Sequence, residues 1–142
     1  MIMLRLAQES DAAQLAELAH VYVDAETHSN TAEGILKYLQ NTDDIVLIAE
    51  DEGQLIGYCS GRINQHMSFN KPIADVLELF LMEAYRGTGI GKKLLKAMET
   101  EFLNRGVGRF RILVRQGSEN ARGFYKACGY EEFEMVMCRK DV

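Results

Sequence analysis

The chain has 142 residues, of which 47% are hydrophobic and 26% charged, with a formal net charge of −5. That length suits one domain, 1–142, and the balance excludes a disordered chain. The acidic total argues against a nucleic-acid binder. No run of about 18 apolar residues offers a membrane span, and the first residues lack the order of a secretory signal. Three cysteines, Cys59, Cys128 and Cys138, match no zinc spacing. They suit a reducing cytoplasm.

In chain order, MIMLRL (1–6) reads as a strand. Glu9-Ser10-Asp11 offers a helix N-cap, and Ala12, Leu15, Leu18, Ala19 and Tyr22 recur at helical spacing. After a polar break at 26–30, a second helix is expected over Glu33–Leu39, followed by a loop at Asn41–Asp44. IVLIAE (45–50) and QLIGYCSGRI (54–63) form a hairpin across Asp51-Glu52-Gly53. Pro72 precedes a strand at 74–82. A glycine-rich segment then opens a helix whose stripe is Ile90, Leu94, Leu95, Met98, Phe102 and Leu103, with Gly106 as its stop. RFRILVR (109–115) is the next strand, Ser118 caps a short helix running to Gly129, and FEMVMCRK (133–140) is expected as a closing strand. Hairpins first and a βαβ unit later mean a mixed sheet in an α/β or α+β domain.

Charge is segregated. Residues 86–126 hold ten of the sixteen Lys/Arg against three acids, a local charge of +7; the rest of the chain carries −12. Such asymmetry suits an anionic ligand on one region and a cationic one on the other.

The most specific feature is Arg86-Gly87-Thr88-Gly89-Ile90-Gly91-Lys92, where a strand ends and an amphipathic helix begins. Alternate glycines permit positive φ and close backbone approach. The unpaired N–H groups of the helix start favour an anion, so the segment reads as a phosphate cradle. A Walker loop fails because Arg86 stands at its first glycine and Lys93 at its magnesium-binding hydroxyl. The dinucleotide fingerprint fails at Lys92.

The pattern [Q/R]-x-x-G-x-[G/A] fits Arg86–Gly91, and here the sequence resembles the GNAT superfamily of acyl-CoA-dependent N-acetyltransferases. Glu78–Tyr85 is similar to the strand that leads into that loop. Ser118–Lys126 with Gly129-Tyr130 is similar to the family's N-x-x-A-x-x-F-Y…G-[FY] segment, except that Ser118 stands where Asn is frequent and Asn120 lies two residues on. The resemblance implies a mixed, mostly antiparallel sheet splayed open for acetyl-CoA and flanked by about four helices. It implies a pyrophosphate on the amides of Arg86, Gly87, Thr88, Gly89, Ile90, Gly91 and Lys92. The pantetheine arm would pair with the backbone of Phe80, Leu81 and Met82, which would also meet the oxyanion. Asn120, Phe124 and Lys126 would flank the other side, with Ser118 the alternative contact to Asn120. No metal is implied.

Acetyl transfer needs a neutral amine and a protonated leaving thiolate. Glu78, an acid inside an apolar strand, suits the base; Glu26 and His28 are the alternatives. The resemblance puts Tyr125 beside the thioester sulfur as general acid. Cys128 reads as core. Acids at Asp24, Glu26, Glu33, Glu78, Glu131, Glu132 and Glu134 suit a cationic acceptor such as a polyamine, an aminoglycoside or a peptide amine. The competing reading is a CoA-binding sensor or interaction module without turnover. Relatives frequently pair as homodimers, and 133–140 would be the pairing segment.

Overall fold

The computed structural model describes residues 1–23 and 29–142. The elements are β1 (Ile2–Leu6), α1 (Ala12–Tyr22), α2 (Ala32–Leu39), β2 (Asp44–Asp51), β3 (Gln54–Asn64), β4 (Ile73–Leu81), α3 (Ile90–Asn104), β5 (Arg109–Ile112) and α4 (Glu119–Ala127). One sheet carries the strands in the order β1-β2-β3-β4-β5. Its first three pairings are antiparallel and β4–β5 is parallel. The mixed, mostly antiparallel sheet with helices on both faces is the architecture expected from the sequence.

Local chemistry explains the turns. Glu52 and Gly53 both take positive φ, 50° and 82°, so the β2–β3 turn has the twist that two-residue hairpins require. The α3 stripe Ile90, Leu94, Leu95, Met98 and Phe102 is buried against β2, β3 and β4. Gly61 lets this helix lie close, since a Cβ there would stand 2.5 Å from Phe102 Cζ. On the opposite face Leu15 and Leu18 of α1 and Ile35 of α2 cover Ile48, Leu55, Tyr58 and Phe80. The Arg5 guanidinium donates to both oxygens of buried Asp11, at 2.8 and 3.0 Å, and Asp11 also accepts the Gln8 N–H at 2.7 Å. This ties β1 to the start of α1. The Asp11 side chain is thereby occupied, and it makes no capping bond to α1.

Two expected strands are corrected. β5 stops at Ile112 rather than Arg115, because its partner β4 diverges after Val76↔Ile112 and leaves Leu113–Arg115 nothing to pair with. The segment 133–140 forms no strand, and Phe133, Met135, Val136 and Met137 are 67–88% exposed. A strand exists only against a neighbour. The sheet's open edges are five-residue β1 and four-residue β5, both too short to template eight residues.

The Arg5 contact holds the Asp11 carboxyl below the usual carboxylate range. A depressed folded-state pKa stabilises above the unfolded value, about 3.9, and the contribution disappears as pH falls through the folded value. Asp11→Asn is therefore expected to cost about 1–3 kcal/mol at pH 7. The melting-temperature gap to wild type should narrow below about pH 4; a gap that is constant with pH would remove the ionic part of this contact.

Candidate active site

The site begins where β4 and β5 part. They pair only through Ile73↔Arg109 to Val76↔Ile112. At the same point the β3–β4 register shifts: Gly61 pairs with Val76, but Ser60 pairs with Glu78, leaving Leu77 as an extra residue. This bulge changes which face the following side chains take. Val76 points into the α3 core. Simple alternation would send Glu78 there too. With Leu77 looped out, Glu78 instead faces the α1 and α2 side, where its carboxylate meets the Tyr58 hydroxyl at 3.3 Å and the Ser60 hydroxyl at 3.4 Å.

Three carboxylates of the central strands face that side. Asp44 is neutralised by Arg62, which donates to both of its oxygens at 2.7 and 2.8 Å. Asp75 is neutralised in the same way by Arg111, at 2.9 and 3.1 Å. Glu78 has no basic partner among the described residues. Its charge is held only by neutral hydroxyls, beside the opening.

Beyond the fork the β4 backbone is half free. Met82 N–H donates to Ile56 C=O at 2.8 Å, and its carbonyl accepts Tyr85 N–H. In an antiparallel ladder the hydrogen-bonded positions recur every two residues, so Phe80 and Glu78 also turn to β3. Leu79 and Leu81 turn outward; the Leu81 carbonyl accepts Arg86 Nε at 2.9 Å. Of the expected trio Phe80, Leu81 and Met82, Phe80 and Met82 have their peptide groups committed to the sheet and its turn, while Leu81, like Leu79, turns outward.

The glycine loop has the conformation its composition demands. Gly87 and Gly89 lie at φ 74° and 87°, and a Cβ on either would meet nothing within 4 Å. Both therefore face open space, and glycine is required there by backbone conformation. Thr88 Oγ1 donates to the Tyr85 carbonyl and pins the loop. Arg86 N–H is used by Glu83 and the first α3 bond runs from Lys93 to Gly89. The N–H groups from Gly87 to Lys92 are left without an acceptor among the described residues. They converge at the positive end of a 15-residue helix, with the Lys92 and Lys93 side chains exposed beside them.

Helix α4 forms the far wall. Phe124 lies 3.8 Å from the space a Gly91 Cβ would fill, so α4 abuts the start of α3. Tyr130 Oη donates to Glu99 at 2.6 Å and fastens the end of α4 to α3. Tyr125 is half-buried, and its hydroxyl makes no hydrogen bond with a described residue. Burial, then the neighbouring Cys59 and Tyr22, push its phenol up to about 12. The Tyr125 ring packs against the α3-side core, with centroids 5.1 Å from Phe124 and 6.0 Å from Tyr130.

Glu78 and Leu81 thus lie on β4 beyond its pairing with β5, Leu81 is tied to Arg86 at the start of the glycine loop, and Phe124 of α4 abuts Gly91 at the loop's end. Asn120 and Lys126 are exposed on α4. Ser118 precedes that helix but its hydroxyl does not cap it. Glu26, His28 and Asp24 lie outside the described residues. Glu132 is engaged by Arg122, at 2.8–3.3 Å, rather than free for an acceptor. Tyr58, Ser60 and Leu79 went unremarked in the sequence. Their signal is cross-strand: only the β3–β4 register sets Ser60 opposite Glu78 and Tyr58 opposite Phe80. Cys59 is fully buried and its thiol is pushed up to about 12 by that burial, the environment of an inert cysteine. Among the described residues no His/Cys/Asp/Glu group could hold a metal ion, and no helix is long and apolar enough to cross a membrane.

Comparison with known proteins agrees with this geometry. The chain is 28% identical over 133 residues to an uncharacterized N-acetyltransferase, YhfO, of Bacillus subtilis, covering 91% of this chain and 89% of that protein. An uncharacterized N-acetyltransferase of Archaeoglobus fulgidus is 28% identical over 128 residues, 83% of this chain and 87% of its own. Among solved structures, an aminoglycoside acetyltransferase from an uncultured soil metagenomic sample, in complex with sisomicin, superposes with a TM-score of 0.89 at 20% identity. That match covers 99% of this chain and 96% of the other. Glucosamine-6-phosphate N-acetyltransferase from Arabidopsis thaliana gives 0.83 at 19%, covering 99% and 98%. These two likenesses show the fold. The acetyltransferase (GNAT) family profile matches residues 12–130, which spans α1 to the Tyr130 anchor, and the chain belongs to that family of acyltransferases.

Proposed function

We propose that the protein transfers an acetyl group from acetyl-CoA to a primary amine of a small cationic or peptide acceptor. Transfer occurs by direct attack while both substrates are bound in one domain, 1–142. The observation that carries this reading is Glu78: a charged carboxylate without a basic partner, re-aimed by a bulge to the point where the sheet opens.

The residues fit the cosubstrate. Acceptorless amides from Gly87 to Lys92, with open space over Gly87 and Gly89, suit a diphosphate. The outward Leu79 and Leu81 peptide groups suit the amides of a pantetheine arm, and Asn120, Phe124 and Lys126 stand on the far wall. Acetyl-CoA supplies an activated acetyl thioester. An alkyl amine, with a pKa of about 10.4, is protonated at neutral pH, so Glu78 Oε receives the ammonium proton, directly or through water, and frees the nitrogen lone pair. Tyr125, a phenol throughout the working range, presents its hydroxyl proton to the departing sulfur. With its phenol at about 12 against a thiol near 8.5, full proton transfer is uphill, and its contribution is chiefly a hydrogen bond in the transition state. The likeness to an aminoglycoside enzyme and the free negative charge at Glu78 favour a cationic acceptor.

Gly89→Asp should fold and lose most of its CoA affinity, since it adds a negative charge and a side chain at φ 87°; calorimetry showing unchanged affinity would remove the cradle. Glu78→Gln should lose activity most at neutral pH and recover as the amine deprotonates unaided. A deficit that is flat across pH would transfer the base to another group. Tyr125→Phe should lower kcat at least about tenfold with acetyl-CoA affinity little changed. Because the folded phenol is raised, wild-type kcat should show no alkaline loss from Tyr125 below about pH 11. Normal kcat in Tyr125→Phe would make this tyrosine a packing residue.

A further inference from the structure

We infer that the buried hydroxyls of Tyr58 and Ser60 are positioning residues that clamp the Glu78 carboxylate, one on each oxygen, in the orientation that faces the fork. The inference rests on the reading of Glu78 as the base and adds to it two groups from the neighbouring strand.

Tyr58 is 5% and Ser60 3% exposed, whereas Glu78 is half-buried. A buried hydroxyl must find an acceptor or bear the cost of lost hydration. Tyr58 Oη donates to Glu78 Oε1 and Ser60 Oγ to Oε2. Two donors on separate oxygens fix the plane of a carboxylate; one donor leaves it free to rotate. Both are anchored more firmly than a surface partner would be. The Tyr58 ring packs in a triangle with those of Tyr22 and Phe80, with centroids 5.9–6.3 Å apart. Ser60 is held in the ladder between β2 and β4. The choice of hydroxyls matters chemically. An arginine here, as at Asp44 and Asp75, would cancel the charge and oppose proton uptake. Burial and the Glu78 charge push the Tyr58 phenol well above its ordinary value, so it stays a donor and does not compete for the proton. Among the described residues the side chains that hydrogen-bond Glu78 are Tyr58 and Ser60 of β3, and no Lys, Arg or His forms a salt bridge with it.

The test is a double-mutant cycle on the full chain, with acetyl-CoA and the best acceptor from an amine panel. Tyr58→Phe and Ser60→Ala should each lower kcat about tenfold. Acetyl-CoA affinity should change less than about twofold, and in Tyr58→Phe the retained ring, still packed against Tyr22 and Phe80, should hold the melting temperature. In a Glu78→Gln background either substitution should add less than about twofold, because the clamp then has no base to hold. Near-normal kcat in both single variants overturns the proposal, and so does an equal further loss in the Glu78→Gln background. If Tyr58→Phe does not fold, Ser60→Ala decides alone, since it removes one oxygen from a strand residue. A Glu78→Gln protein as active as wild type would instead overturn the base itself, an outcome distinct from a damaging Glu78→Gln with silent Tyr58 and Ser60 variants.

Discussion

Everything at the site follows from the parting of β4 and β5 after Val76↔Ile112. A parallel pair of four residues holds the strands together at one end, and the bulge at Leu77 turns β4 away from its neighbour. Beyond it, the Leu79 and Leu81 peptide groups lack the ladder that a continuous sheet would give them. The Leu81 carbonyl finds Arg86 Nε instead; backbone groups left unpaired in a partly apolar cleft are costly, and on the proposed function the amides of the cosubstrate would relieve that cost. The same bulge moves Glu78 out of the α3 core, where a lone carboxylate would be intolerable, onto the face where hydroxyls can hold it. One extra residue thus coincides with the end of the β4–β5 pairing and sets the face that Glu78 takes.

The charge distribution works with this geometry. The basic stretch 86–126 contains the start of α3, with exposed Lys92 and Lys93, and exposed Lys126 on α4, so this region of the surface is positive. On the α1 and α2 side, Asp44 and Asp75 spend their charge on Arg62 and Arg111, and Glu78 keeps its own. On the proposed function, an anionic cosubstrate and a cationic acceptor would meet fields of opposite sign. Tyr125 lies on a helix whose end Tyr130 and Glu99 fasten to α3, which keeps that tyrosine and the glycine loop in fixed relation.

Much of this was legible in the residues. The α3 stripe, the Asp51–Gly53 hairpin, and the glycine loop with its positive φ angles are local patterns, each set by a few consecutive residues. That Glu78 is an unusual acid was legible because it breaks the apolar run Val76-Leu77-Glu78-Leu79. What sequence reading missed depends on register. Whether Phe80 or Leu81 turns its amide outward, and whether Ser60 lies opposite Glu78, changes with a shift of one residue, and the Leu77 bulge leaves no mark on composition. The over-long β5 and the expected strand at 133–140 were errors of the same kind. Apolar content announced strands, but a strand lasts only as long as its partner.

The central claim is that the fork itself receives CoA, with the diphosphate on the glycine loop and the arm along β4. Amide-resolved NMR during a CoA titration tests this most directly. The claim predicts that the N–H signals of Gly87 to Lys92 shift together with those of Leu79 and Leu81, while Met82, committed to Ile56, and β1 residues such as Leu4 move little. Saturable binding that leaves the Gly87–Lys92 amides unmoved, or shifts concentrated on β1 and β2, would contradict it.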